Sequence, residues 1–497
     1  MSFNTSVIVE RPGVVDTEPR RIGALRRYGP WLLLAVRMIA ALWPVVVPLT
    51  VAMFVAGPLG FVVALVLVGL GLWRSARYRR LVERSRVGVL TALVRHQWPS
   101  ICSLCGFTVA GDRRARHPDL AGIEFGPGWL RQPWWRVELI PLAQHDEPAW
   151  WKYGTRLQRQ LKFVAHEQIK NDGDGSVSIT LARNPLPKLV PASRAKLGRT
   201  DVNGRDLVLL AVDVMGTEVI WTPDDDGRGM IFIGGTQGGG KTNIIRLIVA
   251  HGLQARLLSP GGLGGWDFYV IDPAGVDFAW LDGVPGTVVA TDPVEMFRQI
   301  FAGRDEIDRR SSVMQIYKVN HWLKLPLEVR HQHDMARRLV IVVDELVALM
   351  AMRGRVMEPN PTGKGRDLDL FGPMAAALAD LGAMGRKVGV SVVAATQHPI
   401  GEHLGPMGST FKANLGARIG TGALEAEGGG ALFGKSEGAE VAAFLSSRIP
   451  GRCVTRGLSA EGTQSRRHGQ ALFVPDDLLH ELAADARAAT PDLEAIQ

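Results

Sequence analysis

The 497 residues carry 57 Lys and Arg against 49 Asp and Glu, a net charge of +8, and only three cysteines. That length exceeds one hydrophobic core and fits about three units. Cys102, Cys105 and Cys453 exclude a secreted disulfide framework and fit a reducing compartment, while the positive balance favours an anionic partner, nucleic acid or a lipid face.

Residues 1–30 form a polar tail with Arg20, Arg21, Arg26 and Arg27, and from Met38 to Trp73 there is no charged residue. About 20 apolar residues cross a bilayer, so this stretch is too long for one span. Gly57 and Pro58 stand where a tight turn belongs, which predicts two helices over 31–56 and 59–73. Arg37 can snorkel to the head groups. Arg74, Arg77, Arg79 and Arg80 close the second span, and basic flanks on both sides place both termini in the cytoplasm. The pattern predicts a transmembrane hairpin over 31–80 in the cell membrane. A buried core hairpin is the alternative.

A basic juxtamembrane helix over 84–98 follows, then Cys102-Ser-Leu-Cys105. A lone CxxC lacks a second ligand pair; His96 and His117 are irregularly spaced, so small residues in a turn are favoured over metal. Trp129, Trp134, Trp135, Trp150 and Trp151 read as core or bilayer-surface contacts rather than base-stacking platforms. Alternation over 135–141 and 176–181 predicts strands, and 151–169 is helix-compatible. Residues 81–190 are thus a helix and a small α+β adaptor, with Pro185, Pro187 and Pro191 at its exit.

The motor, 191–475, is built around Gly235, Thr236, Gln237, Gly238, Gly239, Gly240, Lys241 and Thr242, a complete GxxxxGK[ST] between an apolar strand and a helix. Glycines let main-chain N–H groups face phosphates, and the helix adds its positive dipole end. Lys241 is expected to reach the β- and γ-phosphates and Thr242 to ligate Mg²⁺. Edge strands are expected over 207–213 and 218–221, and a charged helix over 293–311 carries Arg304, Asp305, Glu306, Asp308, Arg309 and Arg310. A second basic patch covers 330–338. The run 339–343 reads as a strand buried on both faces. It ends in Asp344 and Glu345, where open α/β sheets bind ligands. Asp344 is expected to complete the Mg²⁺ shell and Glu345 to polarise the attacking water; a helix cap is the alternative. An alanine-rich helix over 374–384 leads to Gly385, Arg386 and Lys387. The strand 388–395 then ends in Thr396 and Gln397, placed to sense the γ-phosphate or to cap a helix. A basic turn with Lys412 and Arg418, a loop and helix over 428–443, a hairpin near Pro450 and a tail over 476–497 complete the chain.

As an ordered set, Gly235 to Thr242, Ile271-Asp272-Pro273, Val343-Asp344-Glu345, Gly385-Arg386, Ala395-Thr396-Gln397-His398-Pro399, Lys412-Ala-Asn414 and Arg418-Ile419 resemble the FtsK/SpoIIIE family of DNA-pumping ATPases. The likeness is closest to the TraB-like conjugation proteins of mycelial actinobacteria, and it covers roughly residues 205–475. It implies a P-loop NTPase (RecA-like) core with a mostly parallel sheet, ATP and Mg²⁺ as cofactors, and a hexameric ring on double-stranded DNA. It also implies a trans arginine, for which Arg386 and Arg418 are candidates, and weak DNA contacts from Lys412 and the 304–310 cluster. Departures are Gly239 where the family has Ser, Gln237 where Gly is common, and His398 where Arg is usual. No room remains after about residue 475 for the family's winged-helix reader, so little sequence preference is expected.

The sequence thus reads as a membrane-anchored, ATP-driven double-stranded DNA translocase for plasmid or integrative-element transfer, working with the membrane and other transfer or division-site proteins. Its rivals are a chromosome-segregation pump, a protein-secretion ATPase and a non-hydrolysing scaffold.

Overall fold

The computed structural model describes residues 76–105, 107, 116–125, 134–140, 154, 156–163, 165–170, 176–183, 186–225, 228–259, 264–358, 367–399, 416–435, 438–445, 449–458 and 466–489, with 49, 51 and 62–64. The expected hairpin therefore lies almost wholly outside the described residues, as does Lys412. Among the described residues no helix is long and apolar enough to cross a membrane. Residues 1–99 form one compact unit and Ser100–Gln497 a second.

Helix α1 runs Ala76–Cys105 and contains the expected basic juxtamembrane helix. Its last turn holds Cys102 and Cys105, so these are helical residues rather than turn residues. Both are fully buried. Burial, with Cys105 close by, pushes the Cys102 thiol up to about 12, and burial raises Cys105 too. Protonated, apolar-packed thiols are poor metal ligands.

The adaptor is an antiparallel sheet in the order β1–β2–β4–β3, from Asp119–Phe125, Trp134–Ile140, Ala165–Lys170 and Val177–Ala182. Two of its strands were not expected. The stretch 151–169 divides into a short helix over 156–160 and all but the last residue of β3, because Lys162 takes a positive φ of 57° and turns the chain. Trp135 packs edge-on to Phe125 and Phe163, with ring centroids 5.2 and 5.3 Å away, as a core residue does. This sheet belongs to the same compact unit as the larger one that follows; Arg452 Nη2, for instance, donates to Leu186 O at 3.4 Å.

Residues 190–473 carry an 11-stranded mixed sheet. Its strands are β5 (Val190–Pro191), β6 (Val208–Asp213), β7 (Glu218–Trp221), β8 (Met230–Gly235), β9 (Trp266–Ile271), β10 (Thr287–Ala290), β11 (Arg338–Val343), β14 (Val390–Thr396), β15 (Ala417–Thr421), β16 (Arg452–Arg456) and β17 (Arg466–Phe473). Their order is β10–β9–β11–β14–β8–β15–β16–β17–β6–β7, with β5 on β17. The six from β10 to β15 pair parallel and the rest of that order antiparallel. A two-stranded ribbon, β12 (Met357–Glu358) with β13 (Leu368–Asp369), stands apart.

Continuous apolar strands follow from burial on both faces. On one face Ile231, Ile233, Val340 and Val342 pack with α2 (Lys241–Leu258) and α9 (Asp476–Ala488). On the other, Met230, Phe232, Leu339 and Ile341 meet α3 (Pro293–Ile316), α6 (Phe371–Met384), α7 (Ala426–Phe433) and α8 (Gly438–Leu445). Short helices α4 (Leu327–Gln332) and α5 (Leu346–Met350) complete this side. Asp292 starts α3 by accepting from Val294 N and Glu295 N, with Pro293 at the first helical position.

Three expectations are revised. The stretch 428–443 is two helices rather than a loop and one helix. The last described helix packs on α2 through Leu479, Leu482, Ala483 and Ala486, so residues 476–488 of the expected tail belong to the core. The 330–338 basic patch dissolves: Arg338 is fully buried against Asp224, with Asp206 3.5 Å away, and Arg330 lies over the Trp322 ring.

Candidate nucleotide-binding site

Strand β8 delivers Gly235 to the C-terminal edge of the sheet, and α2 starts at Lys241 six residues later. Between them Gly238 and Gly240 take φ of 71° and 102°, a backbone only glycine holds without strain. Neighbouring strands brace this loop from outside. Gly451 N donates to Gly239 O at 3.0 Å, and Thr421 Oγ1 lies 2.6 Å from the same oxygen. Ala423 N donates to Thr236 Oγ1 at 3.0 Å. A Cβ on Gly239 would lie 2.7 Å from Gly422 Cα, so serine does not fit there in this packing. The departure from the family's loop is thus matched by a second glycine pressed against it.

Lys241 is nearly buried, and its ammonium donates to Gly235 O at 2.8 Å and Thr236 O at 3.3 Å. Burial lowers its pKa, against the pull of Glu345 and Asp344. Thr242 Oγ1 stands 3.4 Å from Asp344 Oδ1, which joins the start of α2 to the end of β11. Burial and then the carboxylates of Asp277, Asp272 and Glu345 push Asp344 up to about 6. A hydroxyl beside a carboxylate crowded by other carboxylates is an oxygen donor set suited to a hard divalent cation such as Mg²⁺. Among the described residues, Asp272, Asp277 and Asp344 are the one group of metal-capable side chains, with oxygens within 4.8 Å of one another.

Glu345 stands between β11 and α5. It caps α5 by accepting from Val347 N at 3.2 Å, and it faces the cavity. Its two oxygens also accept from Gln397 N at 3.3 and 3.1 Å. That contact exists because β14 lies directly beside β11, Val343 opposite Ala394. The cavity is about 620 Å³ and is lined by Gln237, Gly238, Gly240, Lys241, Thr242, Asn243, Asp277, Asp344, Glu345 and Gln397, among others.

The remaining candidates lie elsewhere. Arg386 sits in the turn before β14, at the opposite edge of the sheet, with Nη1 donating to Asp224 O at 3.3 Å. Arg418 lies in β15 level with Phe232 and donates to Leu432 O at 2.7 Å. Neither is among the residues lining the cavity of its own chain. The 304–310 cluster is neutralised internally. Arg304 meets Asp308 and Asp380 at 2.6 and 2.8 Å, and Arg309 and Arg310 both meet Glu306 at 2.5 Å.

Several roles at the site escaped the sequence reading. Asp272, noted there only within Ile271-Asp272-Pro273, accepts from the main-chain N–H groups of Ala274, Gly275, Asp277 and Phe278, and so shapes the loop after β9. Asn243 bonds both Leu472 O and Val474 N, pinning the end of β17 to α2. Thr421, Gly422 and Gly451 carry no local signal beyond the glycines themselves.

No protein-family model matches the sequence, and no curated protein matches it. Among solved structures the chain is similar to the monomer form of the pCW3 conjugation coupling protein TcpA with ATPγS. The identity is 17%, over 79% of this chain and 99% of that one, with a TM-score of 0.49. It is also similar to the cytoplasmic domain of the Thermomonospora curvata type VII secretion ATPase EccC, at 17% identity over 59% of this chain and 32% of that one, TM-score 0.43. ATPases 2 and 3 of EssC from Geobacillus thermodenitrificans match at 12% identity over 63% and 53%, TM-score 0.42. At these levels of likeness, what the chain does has to be argued from the geometry of its own site.

Proposed function

We propose that this chain is an Mg²⁺-dependent ATP hydrolase whose turnover drives a membrane-fixed motor on double-stranded DNA, serving transfer of a plasmid or integrative element. One observation supports the hydrolase reading above all. Thr242 and Asp344, 102 positions apart, meet at 3.4 Å beside a glycine loop whose N–H groups and lysine face one cavity. Mg²⁺, when bound with ATP, neutralises charge between the phosphates. The chain's own groups do the rest. Lys241 exchanges its two loop carbonyls for phosphate oxygens, and the N–H groups of Gly238, Gly240, Lys241 and Thr242, which line the cavity, cradle the phosphates. Glu345 orients a water and accepts its proton as the water oxygen attacks the γ-phosphorus and the bond to the β-phosphate oxygen breaks. Gln397, whose N–H already holds Glu345, links that step to β14.

The DNA cargo, the ring and the anchor rest on the ordered motif set and on the uncharged run from Met38 to Trp73. The test is ATPase turnover of the full-length chain with and without duplex DNA. Turnover that rises with any duplex supports the reading. Turnover indifferent to DNA would point instead to a protein cargo, and absence of turnover would remove the hydrolase. Reporter fusions at positions 25 and 85 should both give the cytoplasmic signal; one external signal would refute the two-span anchor.

A further inference from the structure

The proposed mechanism leaves one carboxylate at the cavity without a role. Asp277 lines the cavity with Lys241, Thr242 and Asp344, and its carboxylate lies within 4.8 Å of that of Asp344. Its neighbour Asp272 is fully buried and occupied by four main-chain N–H groups, which makes it a loop-forming residue. Asp277 is different, since a third of its side chain is exposed.

Its position is imposed from α2. Arg246 stands one helical turn after Thr242, and its Nη2 donates to Asp277 Oδ1 at 3.2 Å and to Asp277 O at 3.0 Å. Arg246 thus holds both the main chain and the side chain of Asp277, and a swing of the carboxylate would cost the Oδ1 contact. The helix that supplies the Thr242 hydroxyl therefore also fixes a carboxylate delivered by a different loop. The other Arg246 contact, to Asp476 at 3.3 Å, goes to a largely exposed group on α9 and leaves Asp277 as the inward partner.

Resting on the nucleotide site proposed above, we propose that Asp277, presented by Arg246, positions the water shell of the divalent cation held by Thr242 and Asp344. Cations of the Mg²⁺ type keep several waters, and those waters need acceptors. Asp277 stands close enough to Asp344 to accept from such a water while Arg246 holds it in place. Outer partners of this kind typically change metal affinity by about 10–100-fold. Without the cation, the same carboxylate only adds negative charge beside a triphosphate.

Those two statements give opposite signs, which makes the test specific. Binding of a fluorescent ATP analogue to the full-length chain is measured in EDTA and then as a function of Mg²⁺. Asp277→Asn should raise the Mg²⁺ half-saturation about tenfold and leave the EDTA affinity unchanged or tighter. Arg246→Lys, which keeps the charge but loses the paired contacts, should raise the half-saturation by less. Asp277→Glu tests the same point if the asparagine variant does not fold. Unchanged Mg²⁺ dependence, or equal weakening with and without Mg²⁺, would overturn the proposal and leave Asp277 as an anchor for Arg246. Absence of analogue binding by the unaltered chain would sink the nucleotide site itself, a separate result.

Discussion

Lys241 and Glu345 face one cavity and are restrained by different things, so their loss should show differently. Among the described residues the lysine's hydrogen-bond acceptors are the carbonyls of Gly235 and Thr236, contacts it can trade for phosphate oxygens. Lys241→Ala should weaken nucleotide binding at least tenfold, consistent with about 1.5–3 kcal/mol for hydrogen bonds to a charged group. Glu345→Gln keeps the size and an acceptor oxygen but not the charge. It should bind nucleotide normally and turn it over about 10²-fold more slowly or worse. Equilibrium binding and single-turnover hydrolysis separate the two, and normal turnover in Glu345→Gln would remove that residue from the chemistry. His251 gives a prediction of another kind. It lies wholly buried on α2, packs on Trp266 at 5.3 Å, and its Nδ1 accepts from Gly198 N at 3.2 Å. Burial, helped by Arg199, lowers its pKa from 6.5 to about 3. Between those values the unfolded chain binds a proton that the folded chain refuses. The His251 contribution is therefore present above pH 6.5 and is lost as pH falls, at up to ~1.4 kcal/mol per pH unit. His251→Gln, which keeps an acceptor but does not titrate, should show a flatter loss between pH 6.5 and 5 in denaturant titrations. An equal slope in both proteins would refute this.

The loop is shaped as much by elements far along the chain as by its own glycines. Strand β15 ends at Thr421 and β16 begins at Arg452, and between them they put Thr421, Gly422 and Gly451 against Gly239 and Gly240. On the other side α9 covers α2, with Leu482 fully buried in the core that Ile244, Leu247 and Ile248 share. Leu482→Ala should therefore cost about 2–5 kcal/mol although it lies outside any motif, and urea unfolding of the full chain is the measurement. A change below 0.5 kcal/mol would mean that α9 is only loosely attached. The contrast explains which parts of the fold the sequence discloses. Strands β8, β11 and β14 are legible because burial on both faces forces continuous apolar runs, and the polar residues ending them stand out at the sheet edge. The loop from Gly235 to Thr242 is legible because its backbone needs glycines at fixed places. The bracing of Gly239 by Gly451 is not legible, since nothing local marks two glycines 212 positions apart as neighbours. Nor is the helix Asp476–Ala488 recognisable as core from a short amphipathic pattern, because what it covers lies far away in sequence.

At the scale of the whole molecule, a net charge of +8 indicates attraction to polyanions without indicating which basic groups are available. Within 304–310, three arginines face Asp305, Glu306 and Asp308, so the cluster carries no net charge even before folding. Folding completes the neutralisation. Arg310 is buried against Glu306, with Nη1 at 3.3 and 3.2 Å from the carbonyls of Val388 and Gly389. Arg309 spans Glu306 and the carbonyls of His333 and Asp334, while Arg304 ties α3 to Asp380 of α6. Removing an arginine of this kind should loosen the packing of α3 rather than release counterions from DNA. Lys412, the family-matched candidate outside the described residues, belongs to the opposite class if the proposed DNA role is right. Each phosphate contact contributes about one unit to the slope of log affinity against log salt. Duplex affinity of the full-length protein measured from about 50 to 200 mM salt should then separate the two. Arg304→Ala and Arg309→Ala should leave the slope unchanged and lower the thermal midpoint. Lys412→Ala should reduce the slope by about one, equally for unrelated duplexes, and leave the midpoint unchanged. A reduced slope in Arg309→Ala would show that the α3 ion pairs open on DNA and that the grip runs along that helix after all.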